Sequence, residues 1–318
     1  MKRIRLVSVS GGKDSTATLL LALETNWQDD VRAVFADTGN EHDLTLEYVC
    51  YLEQATGLRI EWVKADFANE LIRKRKNLER IAAGEPEIEI YKGREFKHPW
   101  TPEAARKAIP FMEATGNPFL DLCILKGGFP SRSKLFCSEK LKHEPMEAWT
   151  YSLIDEGHSV EVWQGVRADE SPKRAKQPDF EWGPVISTRR PILRWGVERV
   201  FEQHRRHGIK PNPLYTMGFR RVGCMPCINS GKADLATMAQ RFPEQVEKIR
   251  EYERVVGESW RPMPFPPSFI PPSNIRGAYG IDAAVAWSRT KRGGDVRQSD
   301  AFHEAEPEMC SSMYGLCE

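Results

Sequence analysis

Arg5-Leu6-Val7-Ser8-Val9-Ser10 is short and rich in β-branched residues, and it runs directly into Gly11-Gly12-Lys13-Asp14-Ser15. Leu19, Leu20 and Leu23 then recur at helical spacing. A strand that stops at a glycine pair and restarts as a helix is the opening of an α/β unit. Its turn is a ready anion site: the glycines let a phosphate approach the backbone, and the first N–H groups of the helix face it with the positive end of the dipole. Asp14 or Ser15 is expected to cap that helix. Ser10, Ser15 and Lys13 add side-chain donors. The spacing departs from Gly-x-x-x-x-Gly-Lys-Ser/Thr, so a Walker-type phosphate loop is excluded.

The same rhythm continues. Val31 to Ala36 reads as a second strand closed by Asp37-Thr38-Gly39-Asn40, and a helix follows with Leu46, Val49 and Leu52 on one face, ending near Gly57. Leu58 to Val63 alternates as a third strand, and a strand is expected again at Val160 to Val166. Strands alternating with helices predict a doubly wound parallel sheet of the α/β class, covered on both faces. Residues from about 75 to 133 interrupt the pattern and read as an inserted, helical segment. The nucleotide-binding domain is therefore expected over 1–230 with that insertion. Residues 231–318 are expected to form a helix carrying Leu235, Met238, Phe242, Val246 and Ile249, then an irregular, proline-rich and cysteine-containing C-terminal extension.

Composition sets outer bounds. Lys+Arg 46 against Asp+Glu 45 leaves no global field to steer the chain to nucleic acid or anionic lipid. The runs Arg73-Lys74-Arg75-Lys76, Arg189-Arg190 and Lys291-Arg292 could build a local basic face, although a solvated face is the simpler reading of each. No run reaches the ~18 apolar residues of a membrane span, and the N-terminus lacks a signal peptide's apolar core. A cytoplasmic location with reduced thiols is the expectation, so the seven cysteines are read as metal, cluster or catalytic groups where they gather.

Ser10-Gly11-Gly12-Lys13-Asp14-Ser15 resembles the signature of the PP-loop ATP pyrophosphatases, whose fold is adenine-nucleotide α-hydrolase-like. Further strings resemble the phosphoadenosine phosphosulfate reductase family within that class and its DNA phosphorothioation (Dnd-type) relatives. They are Phe35 to His42, Gly165-Val166-Arg167-Ala168-Asp169-Glu170-Ser171 with Arg174, Arg190 to Trp195, Asn212-Pro213-Leu214-Tyr215 and Gly223-Cys224-Met225-Pro226-Cys227. The resemblance implies that Ser10, Gly11, Gly12, Lys13, Asp14, Ser15, Asp37, Thr38, Gly39, Gly165, Arg167, Glu170 and Arg174 bind the nucleotide, with Lys13, Asp14, Asp37 and Arg167 carrying the chemistry. Arginine suits that task through its planar fork of donors, although a surface ion-pair cluster would use the same residues.

Cys224-x-x-Cys227 alone fits a redox dithiol, half a zinc site or two ligands of an iron–sulfur cluster. The resemblance points to a [4Fe-4S] cluster held by Cys137, Cys224, Cys227 and a fourth cysteine. Cys317 is favoured, with Cys310 as the alternative and Cys123 behind both; zinc at the same thiolates is the competing metal. Phe136 stands where the assimilatory reductases have a second cysteine. Cys50 reads as a buried small apolar residue. His42 is either near the nucleotide or a helix-start residue making local bonds, and the other histidines show no ligand spacing. Trp163, Trp195, Trp260 and Trp287 read as core.

The resemblance implies an ATP pyrophosphatase that, with Mg²⁺, adenylates an acceptor in sulfur transfer to nucleic acid. Its implied partners are a cysteine desulfurase or another sulfur donor, and a second copy of the chain. The alternative is a phosphoadenylyl- or adenylyl-sulfate reductase that forms sulfite. No Glu-Cys-Gly-x-His element is found, and Gly315-Leu316-Cys317-Glu318 echoes it loosely. A nucleotide-binding regulatory subunit without turnover is the third reading.

Overall fold

The computed structural model describes residues 2–25, 30–87 and 100–290. Within them the chain divides into two compact units, the first from Met1–Ala65 and Ser138–Met225, the second from Asp66–Cys137 and the described part of Pro226–Glu308. The helices expected as an insertion and those expected after residue 230 thus fall in the same unit.

The first unit is built on a six-stranded sheet. Strands β1 (Arg3–Ser8), β2 (Asp30–Asp37), β3 (Ile60–Lys64), β4 (Ser159–Trp163), β5 (Phe180–Glu181) and β6 (Ile186–Arg189) lie in the order β3-β2-β1-β4-β6-β5. All pairs are parallel except β5 with β6, an antiparallel edge that the sequence pattern did not announce. Val7 of β1 sits opposite Ala33 on one side and Trp163 on the other.

Alternation along β1 explains how both faces are covered. Val7 and Val9 pack with Leu19 and Leu20 of helix α1 (Lys13–Glu24) and with Val49 and Leu52 of helix α2 (Asp43–Thr56). Ile4 and Leu6 point the opposite way, to Met146 and Leu153 of the helix Glu144–Asp155. Arg5 shares the Val7 face yet is 2% exposed. Its guanidinium lies 4.4 Å over the Trp163 ring and donates to the Ala22 carbonyl at 3.0 Å, which places a cation at the carbonyl end of α1.

Several local expectations are corrected. Cys50 is exposed, because Thr45, Tyr48, Val49 and Leu52 take the inward face of α2. Neither Asp14 nor Ser15 caps α1; Gly12 is the N-cap and contributes no side chain. The single amphipathic helix expected after Cys227 is two, Lys232–Arg241 and Pro243–Glu258, because Pro243 offers no N–H to continue the first. The chain beyond Gly257 is not irregular throughout, since Ile281–Ser288 forms a helix that buries Ile281, Ala284 and Val285. Trp163 and Trp195 are buried, whereas Trp260 and Trp287 are only half-buried.

The second unit is helical. Ala68–Ala82 buries Leu71, Leu78 and Ile81, and an aromatic group of Phe119, Tyr252 and Phe269 packs at ring separations of 5.8 and 6.3 Å. Within the basic run only Lys74 departs from a solvated role. Its ammonium donates to the Ile124 and Leu125 carbonyls, 2.7 and 3.2 Å away, and lies 3.9 Å over Trp260. Among the described residues, no helix is long and apolar enough to cross a membrane.

Candidate functional site

The order β3-β2-β1-β4-β6-β5 reverses direction between β1 and β4, and ligands of open α/β sheets collect outside the carboxyl ends of strands at such a point. The glycine loop leaves the end of β1, and Gly165 follows the end of β4. Gly11 has φ +74°, and a Cβ there would come within 2.8 Å of Thr45 Cγ2, so both conformation and space require glycine. Ser15 closes the loop: its hydroxyl accepts from the Ser10 N–H at 3.1 Å and donates to the Gly12 carbonyl at 3.0 Å. At Gly165 a Cβ would stand 2.9 Å from Ser15 Cα and N and 3.0 Å from the Asp14 carbonyl carbon, so the β4 turn lies against the first turn of α1.

Asp14 is the electrostatic centre. It is 5% exposed, and its carboxylate takes the Lys13 ammonium at 3.0 Å and Arg167 Nε at 2.6 Å. Arg167, equally buried, also donates to Asp169 at 2.6 Å and to the Trp195 carbonyl at 3.4 Å. Burial alone would lower the Arg167 guanidinium, but the carboxylates of Asp14, Asp169 and Glu170 outweigh it and raise it above its ordinary value. Glu170 accepts from the Arg167 N–H at 3.3 Å and pairs with Arg174. Arg167 and Arg174 thus both pair with carboxylates, and both are buried rather than on the surface.

Asp37, Thr38 and Gly39, also expected to bind the nucleotide, stand at the end of β2. Asp37 accepts from the Gly39 N–H at 2.9 Å and meets the Lys64 ammonium at 3.4 Å. Thr38 is buried, and its N–H and hydroxyl both donate to Glu41, at 3.0 and 2.7 Å. His42 makes the local bond of a helix start: it caps α2, with Nδ1 accepting from the Leu44 N–H at 3.1 Å.

Sequence reasoning missed four members of this site. Glu41 organises Thr38 and accepts from the Cys224 thiol at 3.5 Å, where an antiparallel bridge joins the two residues. Asn212 is fully buried and donates to the Gly11 carbonyl at 3.2 Å. Tyr215 accepts from the Lys13 N–H at 2.9 Å. His204, which shows no ligand spacing in the sequence, donates from Nε2 to the Lys13 carbonyl at 2.8 Å. Burial pushes that imidazole below its usual range, against the opposing pull of the Lys13 bond and the Asp14 charge. The Asn212–Tyr215 string was the available signal for two of them; His204 carried none.

The expected metal-ligating cysteines are spread over both units. Cys224 belongs to the first unit, whereas Cys137 and Cys227 belong to the second. Among the described residues no group of three or more His, Cys, Asp or Glu side chains is placed to hold a metal ion. Cys310 and Cys317 lie outside the described residues. Cys224 acts as a thiol donor to a carboxylate, and the Cys227 sulfur accepts from the Asn229 N–H at 3.5 Å. Burial pushes the Cys123 thiol well above its ordinary value. The described residues thus supply no group that supports the expected cluster or its zinc alternative, and no chemistry below runs through either.

The family model of the phosphoadenosine phosphosulfate reductase domain matches residues 5–230. A protein of Escherichia phage 186, named only as an uncharacterized 37.8 kDa protein in the gpa 5' region, is 42% identical over 334 residues, covering 99% of this chain and 97% of its own. The adenosine 5'-phosphosulfate reductase of Streptomyces coelicolor is 42% identical over 67 residues, 20% of this chain and 28% of that enzyme. A phosphoadenylyl-sulfate reductase structure from Candida auris, a phosphate complex, aligns at 16% identity and a TM-score of 0.42, covering 70% of this chain and 82% of that one.

Proposed function

The chain belongs to the phosphoadenosine phosphosulfate reductase family, and from that premise we propose that it binds ATP and adenylates an acceptor in sulfur-transfer chemistry, with nucleic acid as the acceptor. The observation that carries this reading is the closed Ser10–Ser15 loop at the β1/β4 reversal, with the Lys13 ammonium bonded to the Asp14 carboxylate of the same loop. An acceptor oxygen attacks the α-phosphorus of ATP, the α–β bridging bond breaks, and pyrophosphate leaves. Lys13 and loop amides neutralise the charge that builds on the leaving group, together with the Mg²⁺ that ATP brings. Asp14 holds Lys13 at the loop, and Arg167 holds Asp14. A cysteine desulfurase or similar donor would deliver sulfur to the adenylated acceptor, as in phosphorothioation of DNA.

The second reading is a sulfite-forming reductase acting on phosphoadenylyl or adenylyl sulfate. It draws support from the segment shared with adenosine 5'-phosphosulfate reductases. One assay separates the readings. Anaerobically purified protein is incubated with labelled ATP and, separately, with labelled phosphoadenylyl sulfate. Pyrophosphate release that is lost in Lys13→Ala supports the first. Thioredoxin-dependent sulfite formation replaces it with the second, and tight binding without turnover leaves a regulatory subunit.

A further inference from the structure

The phosphate loop is gripped by a phenol. Tyr215, on the one-turn helix Pro213–Thr216, accepts a hydrogen bond from the backbone nitrogen of Lys13 at 2.9 Å. Lys13 opens α1, so this N–H is one of the donors without an intrahelical partner on which anion binding at a helix start depends. The same hydroxyl lies 3.5 Å from where a Cβ on Gly12 would stand, and the Tyr215 ring is 5.5 Å from the Lys13 ammonium. The ring is half-buried and packs edge-on against Phe201 at 6.1 Å. Three positions earlier, Asn212 holds the Gly11 carbonyl from a fully buried site.

These contacts divide into a fixed hold and an exchangeable one. Asn212 takes a carbonyl, which no phosphate competes for. Tyr215 takes an amide, which a phosphate oxygen accepts from more strongly, because charged acceptors form bonds about twice as strong as neutral ones. We propose that Tyr215 is a displaceable stand-in for phosphate: its hydroxyl occupies the Lys13 amide in the empty loop, and an incoming nucleotide phosphate takes that amide over while Asn212 keeps Gly11 in place. The inference rests on the nucleotide reading above and adds to it a residue that sets affinity by competition. It also fixes a direction of effect: removing a competitor tightens binding, whereas removing a structural support does not.

The test is Tyr215→Phe, which keeps the ring and its packing on Phe201. Inorganic pyrophosphate and ATP are titrated calorimetrically into the unaltered protein, Tyr215→Phe and Lys13→Ala. Binding to Tyr215→Phe is expected to tighten roughly two- to ten-fold, the worth of one net hydrogen bond. The melting temperature of the empty variant should fall slightly while its rise on adding pyrophosphate grows. A folded Tyr215→Phe that binds equally or more weakly, while Lys13→Ala still loses binding, overturns this inference alone. No binding by the unaltered protein overturns the nucleotide reading and this inference with it. A second measurement needs no deletion: 3-fluorotyrosine at position 215 should show a fluorine resonance that shifts as pyrophosphate saturates the loop, and an unmoved resonance at saturation refutes displacement.

Discussion

Replacing Arg167 by methionine tests whether the buried charges of the loop form one unit. Asp14 and Arg167 have side chains 7% and 6% exposed and meet at 2.6 Å, with Asp14 also bonded to Lys13 at 3.0 Å. Arg167→Met fills the volume but strips Asp14 of one of its two cations. Breaking a buried pair from one side typically costs about 3–5 kcal/mol, since a charge is left uncompensated. The lower end applies here, because Lys13 remains and because the other partner, Asp169, is 54% exposed and can turn to water. Asp14→Asn alone leaves Arg167 with Asp169 and Lys13 without its carboxylate, a smaller loss.

The double variant Asp14→Asn/Arg167→Met removes both charges, so its loss should fall short of the sum of the single losses by about 1–3 kcal/mol. Urea unfolding of the four proteins at neutral pH, followed by Trp163 and Trp195 fluorescence, reads the cycle. Additive losses, or a cost below about 1 kcal/mol for Arg167→Met, would mean that the pair is solvated and that Arg167 does not hold Asp14.

Three further outcomes are expected. Gly165→Ala forces a Cβ against three backbone atoms of α1 at 2.9–3.0 Å, so it should cost about 1–3 kcal/mol in denaturation and weaken pyrophosphate binding; unchanged values for both would show that the turn and helix are not in contact. His204 has its folded pKa below the ordinary 6.5, so the unfolded chain takes up a proton that the folded chain resists as pH falls through that value. Stability should therefore drop toward acid with a slope of at most about 1.4 kcal/mol per pH unit, and this part of the slope should be missing in His204→Gln. Iron, labile sulfide and zinc are measured on anaerobically purified protein before and after chelation. A cluster on Cys137, Cys224, Cys227 and Cys317 predicts iron and sulfide that vanish in Cys224→Ala, zinc alone favours the competing metal, and neither metal retires both.

The parts of this fold that were legible are those written within one turn or one strand. Alternating Ile4, Leu6 and Val7, Val9 announce a strand buried on both faces, and glycine after it announces the loop, because each depends on neighbours a few residues away. Even the local errors have a local cause. Pro243 splits a helix whose apolar spacing runs straight through it, and the prolines of 262–267 precede a helix whose inward spacing is Ile281, Ala284 and Val285. Cys50 follows Val49 in sequence but lies about 100° further round α2, outside the face that Val49 and Leu52 bury.

The residues that finish the site obey a different logic. His204 and Tyr215 reach Lys13 from 191 and 202 positions away, on short segments whose own periodicity says only that one face is buried. A helix start exposes its first N–H groups whatever surrounds it, so the strand–glycine–helix string suffices to predict an anion site. What fills those donors while the site is empty, and hence how tightly a phosphate is held, is decided by side chains that tertiary packing delivers. On the proposed reading, local sequence marks the class of ligand, whereas affinity and selectivity would be set by the Asn212–Tyr215 turn and by the carboxylates around Arg167. Relatives that keep the Ser10–Ser15 loop but change the residue matching Tyr215 should bind phosphate at the same place with different strength.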